Sequence, residues 1–145
     1  MKYLGIDHGN VRIGVAISDP TGLLARPLQI VKHVSRSEDA SLIARIAQNE
    51  GCQAIVVGLP LDADGGHGPR ARSVNRFIVE LQSQSELSVI AWDESHSSQH
   101  ALQASISRGE RKKKRQEAMD DQAAAIILQD YLDNHRTHEG GEVEP

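Results

Sequence analysis

The chain has one cysteine, Cys52, and only four aromatic residues among its 145 positions. A single cysteine excludes an internal disulfide and any cysteine-rich zinc site, and predicts a reduced core thiol in a cytoplasmic protein. Tyr3, Phe77, Trp92 and Tyr131 fall within apolar patterns, so they are expected in the core, with no platform on which unpaired bases would stack. No apolar run approaches the ~20 residues that span a bilayer, and Met1-Lys2-Tyr3-Leu4 lacks the pattern of a secretory leader, so no membrane partner is expected. There is no internal repeat. A large excess of charge is missing too: the net value of −4 argues against a surface that coats nucleic acid over its whole extent. The length suits one domain with a real core.

What charge there is lies unevenly. Arg108 to Arg115 carries six basic residues against Glu110, a local +5, so the remainder of the chain stands at −9. A basic patch on an acidic body is the asymmetry of a polyanion contact, although a solvated charge run has the same composition.

Pattern and punctuation predict the elements. Residues 2–7 and 11–18 form a β-hairpin about His8-Gly9-Asn10, with a third strand between Leu23 and Val34. A helix beginning at Ser37-Glu38-Asp39 shows Leu42, Ile43, Ile46 and Ala47 on one face and ends at Gly51. Ala54 to Pro60 is a continuous apolar run, as in a parallel strand covered on both faces. Arg70 to Ser83 is a helix with Val74, Phe77, Ile78 and Leu81 inward, and Leu87 to Trp92 is a strand. Residues 97–107 are expected helical, 109–116 a basic connector and Glu117 to Asn134 the last helix. The polar stretch 135–145 is expected as a disordered tail beyond a domain at 1–134. An antiparallel hairpin followed by alternating helix and strand predicts an α/β fold: a mixed five-stranded sheet flanked by helices. Sites in such sheets gather beyond the carboxyl ends of strands.

Three acids stand where such a site would form. Asp7 ends the first strand amid Gly5, Gly9 and Gly14, and a charge there is costly without a partner such as a metal. Glu94 follows the strand ending at Trp92. Asp120 shares a helical face with Ala124, Ile127, Leu128 and Tyr131, whereas Asp121 points about a quarter-turn away and reads as a solvated helix acid. A turn role for Asp7, and helix-start roles for Glu94 and Asp120, stay open. Three carboxylates without a Cys–His cluster suit hard cations, Mg²⁺ or Mn²⁺. Two such ions ~3.5–4 Å apart clamp the attacking water and the leaving oxygen of a phosphodiester. Arg12 on the second strand, with Arg111, Lys112, Lys113, Lys114 and Arg115, are the candidate phosphate contacts, which give affinity without reading bases. Asp19 before Pro20 reads as a turn residue, and so do Asp62 and Asp64.

Four segments in order resemble the YqgF family of the ribonuclease H-like superfamily. They are Gly5-Ile6-Asp7-His8-Gly9 with Arg12-Ile13-Gly14-Val15-Ala16 and Ser18-Asp19; Val57-Gly58-Leu59-Pro60-Leu61 with Asp64-Gly65; Asp93-Glu94 with Ser97-Ser98; and Asp120 with Ala123-Ala124 and Ile127-Leu128. The likeness reaches to about Leu132. It implies a ribonuclease H-like fold, the acidic cluster Asp7, Glu94 and Asp120, and a metal-dependent nuclease leaving 3′-hydroxyl and 5′-phosphate ends. The family is described both as maturing the 5′ end of pre-16S rRNA in ribosome biogenesis and as resolving Holliday junctions. The implied partner is nucleic acid, structured RNA ahead of branched or single-stranded DNA, met by a monomer or weak dimer. In one respect the chain departs from the family: Ser95 and His96 stand where an arginine usually follows the Asp-Glu pair, which bears on substrate choice and rate more than on the metal site. Two rival readings follow from the same residues. One is an ATP-using enzyme of the actin and sugar-kinase type, for which the chain is too short to hold two lobes. The other is a non-catalytic nucleic-acid-binding factor on the same fold.

Overall fold

In a computed structural model of the protein, residues 1–94 and 122–135 are described. Strands β1 (Tyr3–His8), β2 (Arg12–Ser18) and β3 (Ala25–Lys32) precede helix α1 (Arg36–Asn49). Strand β4 (Ala54–Leu59), helix α2 (Pro69–Gln84) and strand β5 (Ser88–Asp93) follow. Residues 122–135 form helix α3. The five strands make one mixed sheet in the order β3-β2-β1-β4-β5. The β1–β2 and β2–β3 pairs are antiparallel, while β4 runs parallel to both β1 and β5.

This is the architecture that the hairpin-then-alternation pattern predicts, and most boundaries fall within two residues of expectation. The helix α1 is capped by Ser35, whose side chain accepts the Glu38 N–H, and it stops where Gly51 turns at φ +71°. The predicted 97–107 helix, the basic connector, and most of the expected tail lie outside the described residues. His135, expected as the first residue of that tail, belongs to α3 and stacks on Tyr131 at 5.1 Å.

Side-chain alternation along the strands divides the apolar residues between two faces. One face of the sheet carries Leu4, Ile6, Ile13, Val15, Ile17, Ile55 and Val57 against α1 and α2. Phe77 and Leu81 are the large α2 side chains buried there. The other face is lined by Tyr3, Ala16, Ala54 and Val56 and is covered by Ala124, Leu128, Tyr131 and Leu132 of α3. Cys52 is a buried free thiol. Of the four aromatic residues, Tyr3, Phe77 and Tyr131 are buried, as expected. Trp92 is half-exposed and donates its indole N–H to Asp130 at 2.8 Å.

Candidate active site

The fold sends four strand ends to one rim of the sheet. β1, β4 and β5 are mutually parallel, and β3 runs the same way because two antiparallel steps separate it from β1. Their carboxyl ends carry Asp7-His8, Leu59, Asp93-Glu94 and Lys32-His33. The amino ends of α1 and α2 therefore open at that rim as well.

Asp7 shares the face of Tyr3 and Gly5, the α3 face, by strand alternation. Glu94 is 6 % exposed. Its backbone N–H donates to the Leu59 carbonyl at 3.2 Å, which ties the residue after β5 to the end of β4. Its carboxylate lies over Gly58: a Cβ on Gly58 would stand 2.5 Å from Glu94 Oε2 and 2.7 Å from Ile127 Cδ1. Glycine at position 58 thus makes room for close approach rather than for a turn. Burial, then the neighbouring Asp7 carboxylate, push the Glu94 pKa from near 4.5 up to about 7, with Arg70 opposing and Asp93 adding to the rise. Two of the three nominated acids are therefore in one electrostatic neighbourhood.

The third, Asp120, lies outside the described residues, as do Asp121, Ser95, His96 and Arg111 to Arg115. The course of α3 is nonetheless defined. Tyr131 meets Tyr3 with ring centroids 5.6 Å apart, and a Cβ on Gly5 would lie 2.7 Å from Leu128 Cβ and 3.1 Å from the Ala124 carbonyl oxygen. Lower-numbered residues of α3 thus lie towards the Asp7 end of β1. Arg12 is exposed at the start of β2, paired across the sheet with Lys32.

Among the described residues there is no group of three His, Cys, Asp or Glu side chains poised around one point. The pair that is described fits a hard divalent cation on its own chemistry. Both groups are carboxylates, Glu94 is almost wholly buried, and no described residue donates a hydrogen bond to its carboxylate. A buried acid beside a second acid must take up a proton or a cation.

The other candidate acids behave as turn residues. Asp19 accepts the N–H groups of Leu23 and Leu24 at 2.8 and 3.0 Å and the Thr21 hydroxyl, and these bonds hold its carboxyl well below the usual range. Asp64 accepts the Gly66 N–H at 2.9 Å, and Asp62 closes the same loop through its backbone. Patterning missed two groups. Arg70, read only as a helix start, exerts its charge on both Glu94 and His8. Asp39, read as a helix-start acid, is buried at 2 % exposure. Pro69 at the first turn of α2, just past a strand-end loop, was the available signal for Arg70.

Comparison with known proteins agrees with the resemblance carried by the four segments. A family model, RuvX, described as "Holliday junction resolvase", matches residues 1–134. A protein of Symbiobacterium thermophilum named "Putative pre-16S rRNA nuclease" is 40% identical over 137 residues, covering 92% of each chain. Another so named, from Geobacillus kaustophilus, is 38% identical over 138 residues, covering 94% of this chain and all of its own. Among solved structures, T. thermophilus RuvC in complex with a Holliday junction substrate aligns with a TM-score of 0.57 at 19% identity, over 94% of this chain and 96% of that one. The fowlpox virus Holliday junction resolvase aligns at 0.52 and 16% identity, over 92% and 99%. At such identities the two structures speak for the fold, the ribonuclease H-like architecture.

Proposed function

This chain belongs to the RuvX family, and we propose that it is a metal-dependent nuclease that hydrolyses phosphodiester bonds in processing the 5′ end of pre-16S rRNA. The observation that carries the chemistry is the Glu94 carboxylate, buried over Gly58 within the field of Asp7. The names of the curated relatives support the substrate. Asp7 and Glu94 hold Mg²⁺ or Mn²⁺, and Asp120 completes the set. The support for Asp120 is its position two residues before the described part of α3, whose lower-numbered residues lie towards Asp7.

Divalent cations bound by these acids supply charge neutralisation at the scissile phosphate and lower the pKa of water. The chain's own residues do the rest. The β1 ladder fixes Asp7 on one side, and the bond from Glu94 N–H to the Leu59 carbonyl fixes Glu94 on the other. The absent side chain at Gly58 makes room for the Glu94 carboxylate. Arg70 offsets part of the cost of ionising Glu94. Arg12 and the basic run Arg111 to Arg115 contact flanking phosphates. The reaction is in-line attack by water, leaving 3′-hydroxyl and 5′-phosphate ends. The protein acts in the cytoplasm; no helix among the described residues is long and apolar enough to cross a membrane.

The family description favours a second reading, resolution of branched DNA, which requires two active sites and hence a dimer. One panel separates the readings: a pre-rRNA leader, single strands of RNA and DNA, and a four-way junction, each with Mn²⁺ or with EDTA. The leader is expected to be cut, and EDTA to abolish cutting. Preferential cleavage of the junction would replace the RNA reading with the resolvase one. Binding that persists in EDTA with no product from any substrate would leave only a non-catalytic factor.

A further inference from the structure

On the opposite face of the same rim lies a group of side chains that the metal site does not use. Asp39, buried in the first turn of α1, accepts the Val34 N–H at 3.0 Å through Oδ1 and bonds His33 Nδ1 through Oδ2. A buried carboxylate thus fixes the ring of a half-exposed histidine. With Nδ1 engaged, Nε2 is the ring atom left to meet another group, and among the described residues it has no partner. His33 borders a cleft of about 250 Å³, lined also by His8, Asn10, Arg36 and Ser73, with Phe77 beneath. His8 stacks on Phe77 at 4.5 Å. Asn10, Arg36 and Ser73 offer amide, guanidinium and hydroxyl donors, and His33 adds an Nε2 donor when its ring carries both protons. The carboxylate closest to hand, Asp39, is already bonded twice. Arg70 adds its charge, which reaches His8.

We propose that this cleft binds a backbone phosphate of the nucleic-acid substrate beside the scissile one, with Arg36 and His33 as anion donors and Asp39 as a positioning residue for His33. The proposal rests on the nuclease reading above. Asp7 and His8 are consecutive, ~3.8 Å apart at Cα, and face opposite sides of the sheet. A polymer that lays one phosphate at Asp7 and crosses the rim brings a neighbouring phosphate to the cleft. A free phosphate ion gains nothing from that adjacency.

The test is affinity for a labelled structured RNA in EDTA, where nothing is cut, as a function of salt. Arg36→Ala and His33→Asn are expected to weaken binding about 3–10-fold each, and Arg36→Ala to lower the salt slope by about one. Arg26→Ala removes the same charge from an exposed site at the far end of β3 and is expected to change neither. In Mn²⁺, Arg36→Ala is expected to raise KM with kcat kept within about twofold, as for a binding contact remote from the reacting atoms. Asp39→Asn is expected to lose as much affinity as His33→Asn, and the double variant no more than either, the mark of one shared contact. Wild-type affinity and slope in both Arg36→Ala and His33→Asn, or an equal loss in Arg26→Ala, would overturn the proposal. So would tight saturation of His33 NMR shifts by inorganic phosphate with RNA binding indifferent to the variants, which would make this a free-anion site. If RNA binding depends on Arg36 but Mn²⁺ yields no cleavage, the nuclease reading falls and the cleft stands.

Discussion

The two faces of the sheet are packed with different kinds of side chain. Against α1 and α2 the strands present leucine, isoleucine and valine, with Phe77 and Leu81 reaching down to them. Against α3 the central strands present Gly5, Ala16, Ala54, Val56 and Gly58, with Tyr3 at the far end and Ile90 and Trp92 on the edge strand β5. The first face is a thick aliphatic layer whose burial stabilises the fold at ~25 cal/mol per Å² of apolar surface. The second keeps β1 and β4 small at Gly5 and Gly58, so α3 comes close and Glu94 finds space over β4. Stability and chemistry are thereby assigned to opposite sides of one sheet, and each side is open to separate attack by mutation.

The largest effect is expected on the α3 face. Asp7→Asn keeps the side chain's shape and removes its charge, and is expected to cut Mn²⁺-dependent cleavage ~1,000-fold or more, since metal charge stabilisation contributes several kcal/mol. Its melting temperature should equal or exceed that of the wild type, because the charge that disfavours ionised Glu94 is gone. Ile55→Ala attacks the other face. Ile55 is wholly buried, so its truncation is expected to cost about 2–4 kcal/mol in denaturant unfolding. Measured well below the melting temperature, cleavage per folded molecule should stay within about threefold of wild type. Equal loss of activity in both variants would mean the faces are not separable.

Glycines sharpen the comparison. Gly5→Ala would drive a Cβ to 2.7 Å from Leu128 Cβ and 3.1 Å from a backbone oxygen of α3, neither of which can swing aside. A loss of about 1–3 kcal/mol in chemical unfolding is expected, the cost of overpacking. Gly58→Ala meets only the ends of Glu94 and Ile127, which can move. It should be the mildest in stability, about 1 kcal/mol or less, while the displaced carboxylate lowers activity about tenfold.

Between these in size falls the pH response of the cation-free protein. Glu94 holds a proton more tightly folded, with a pKa of about 7, than unfolded, near 4.5. Its contribution to stability is therefore complete below about pH 4.5 and is lost as pH rises through about 7, by about 3 kcal/mol. Glu94→Gln, neutral throughout, should show a flatter profile over that window in thermal melts at fixed salt. Parallel profiles for the two proteins would remove the burial assigned to Glu94.

Much of this was legible in the sequence because it is local. Strand period, the turn at His8-Gly9-Asn10, the helix start near Ser37-Glu38-Asp39 and Gly51 all act over a few residues, so the order of elements followed from patterning. So did the nomination of Asp7 and Glu94, which sit at strand ends that parallel pairing must bring together. Asp39 shows where that style of reasoning stops. A helix-start acid is ordinarily solvated, and its burial here depends on His33, six residues back and presented by the end of β3. Arg70 was illegible for a related reason: its role depends on β4 and β5 ending side by side. Gly58 carried a signal as part of Val57-Gly58-Leu59-Pro60, but the room it makes is used by a carboxylate 36 positions later.

Calorimetric titration of the metal-free protein with Mn²⁺ near pH 6.5 tests the paired acids most directly. Wild-type protein is expected to bind the ion and to release a fraction of a proton per site, seen by varying the ionisation heat of the buffer. Asp7→Asn and Glu94→Gln, both folded, are expected to lose at least tenfold in affinity, and Glu94→Gln to lose the proton release. Undiminished Mn²⁺ binding in both folded variants would contradict a cation site made by these two carboxylates.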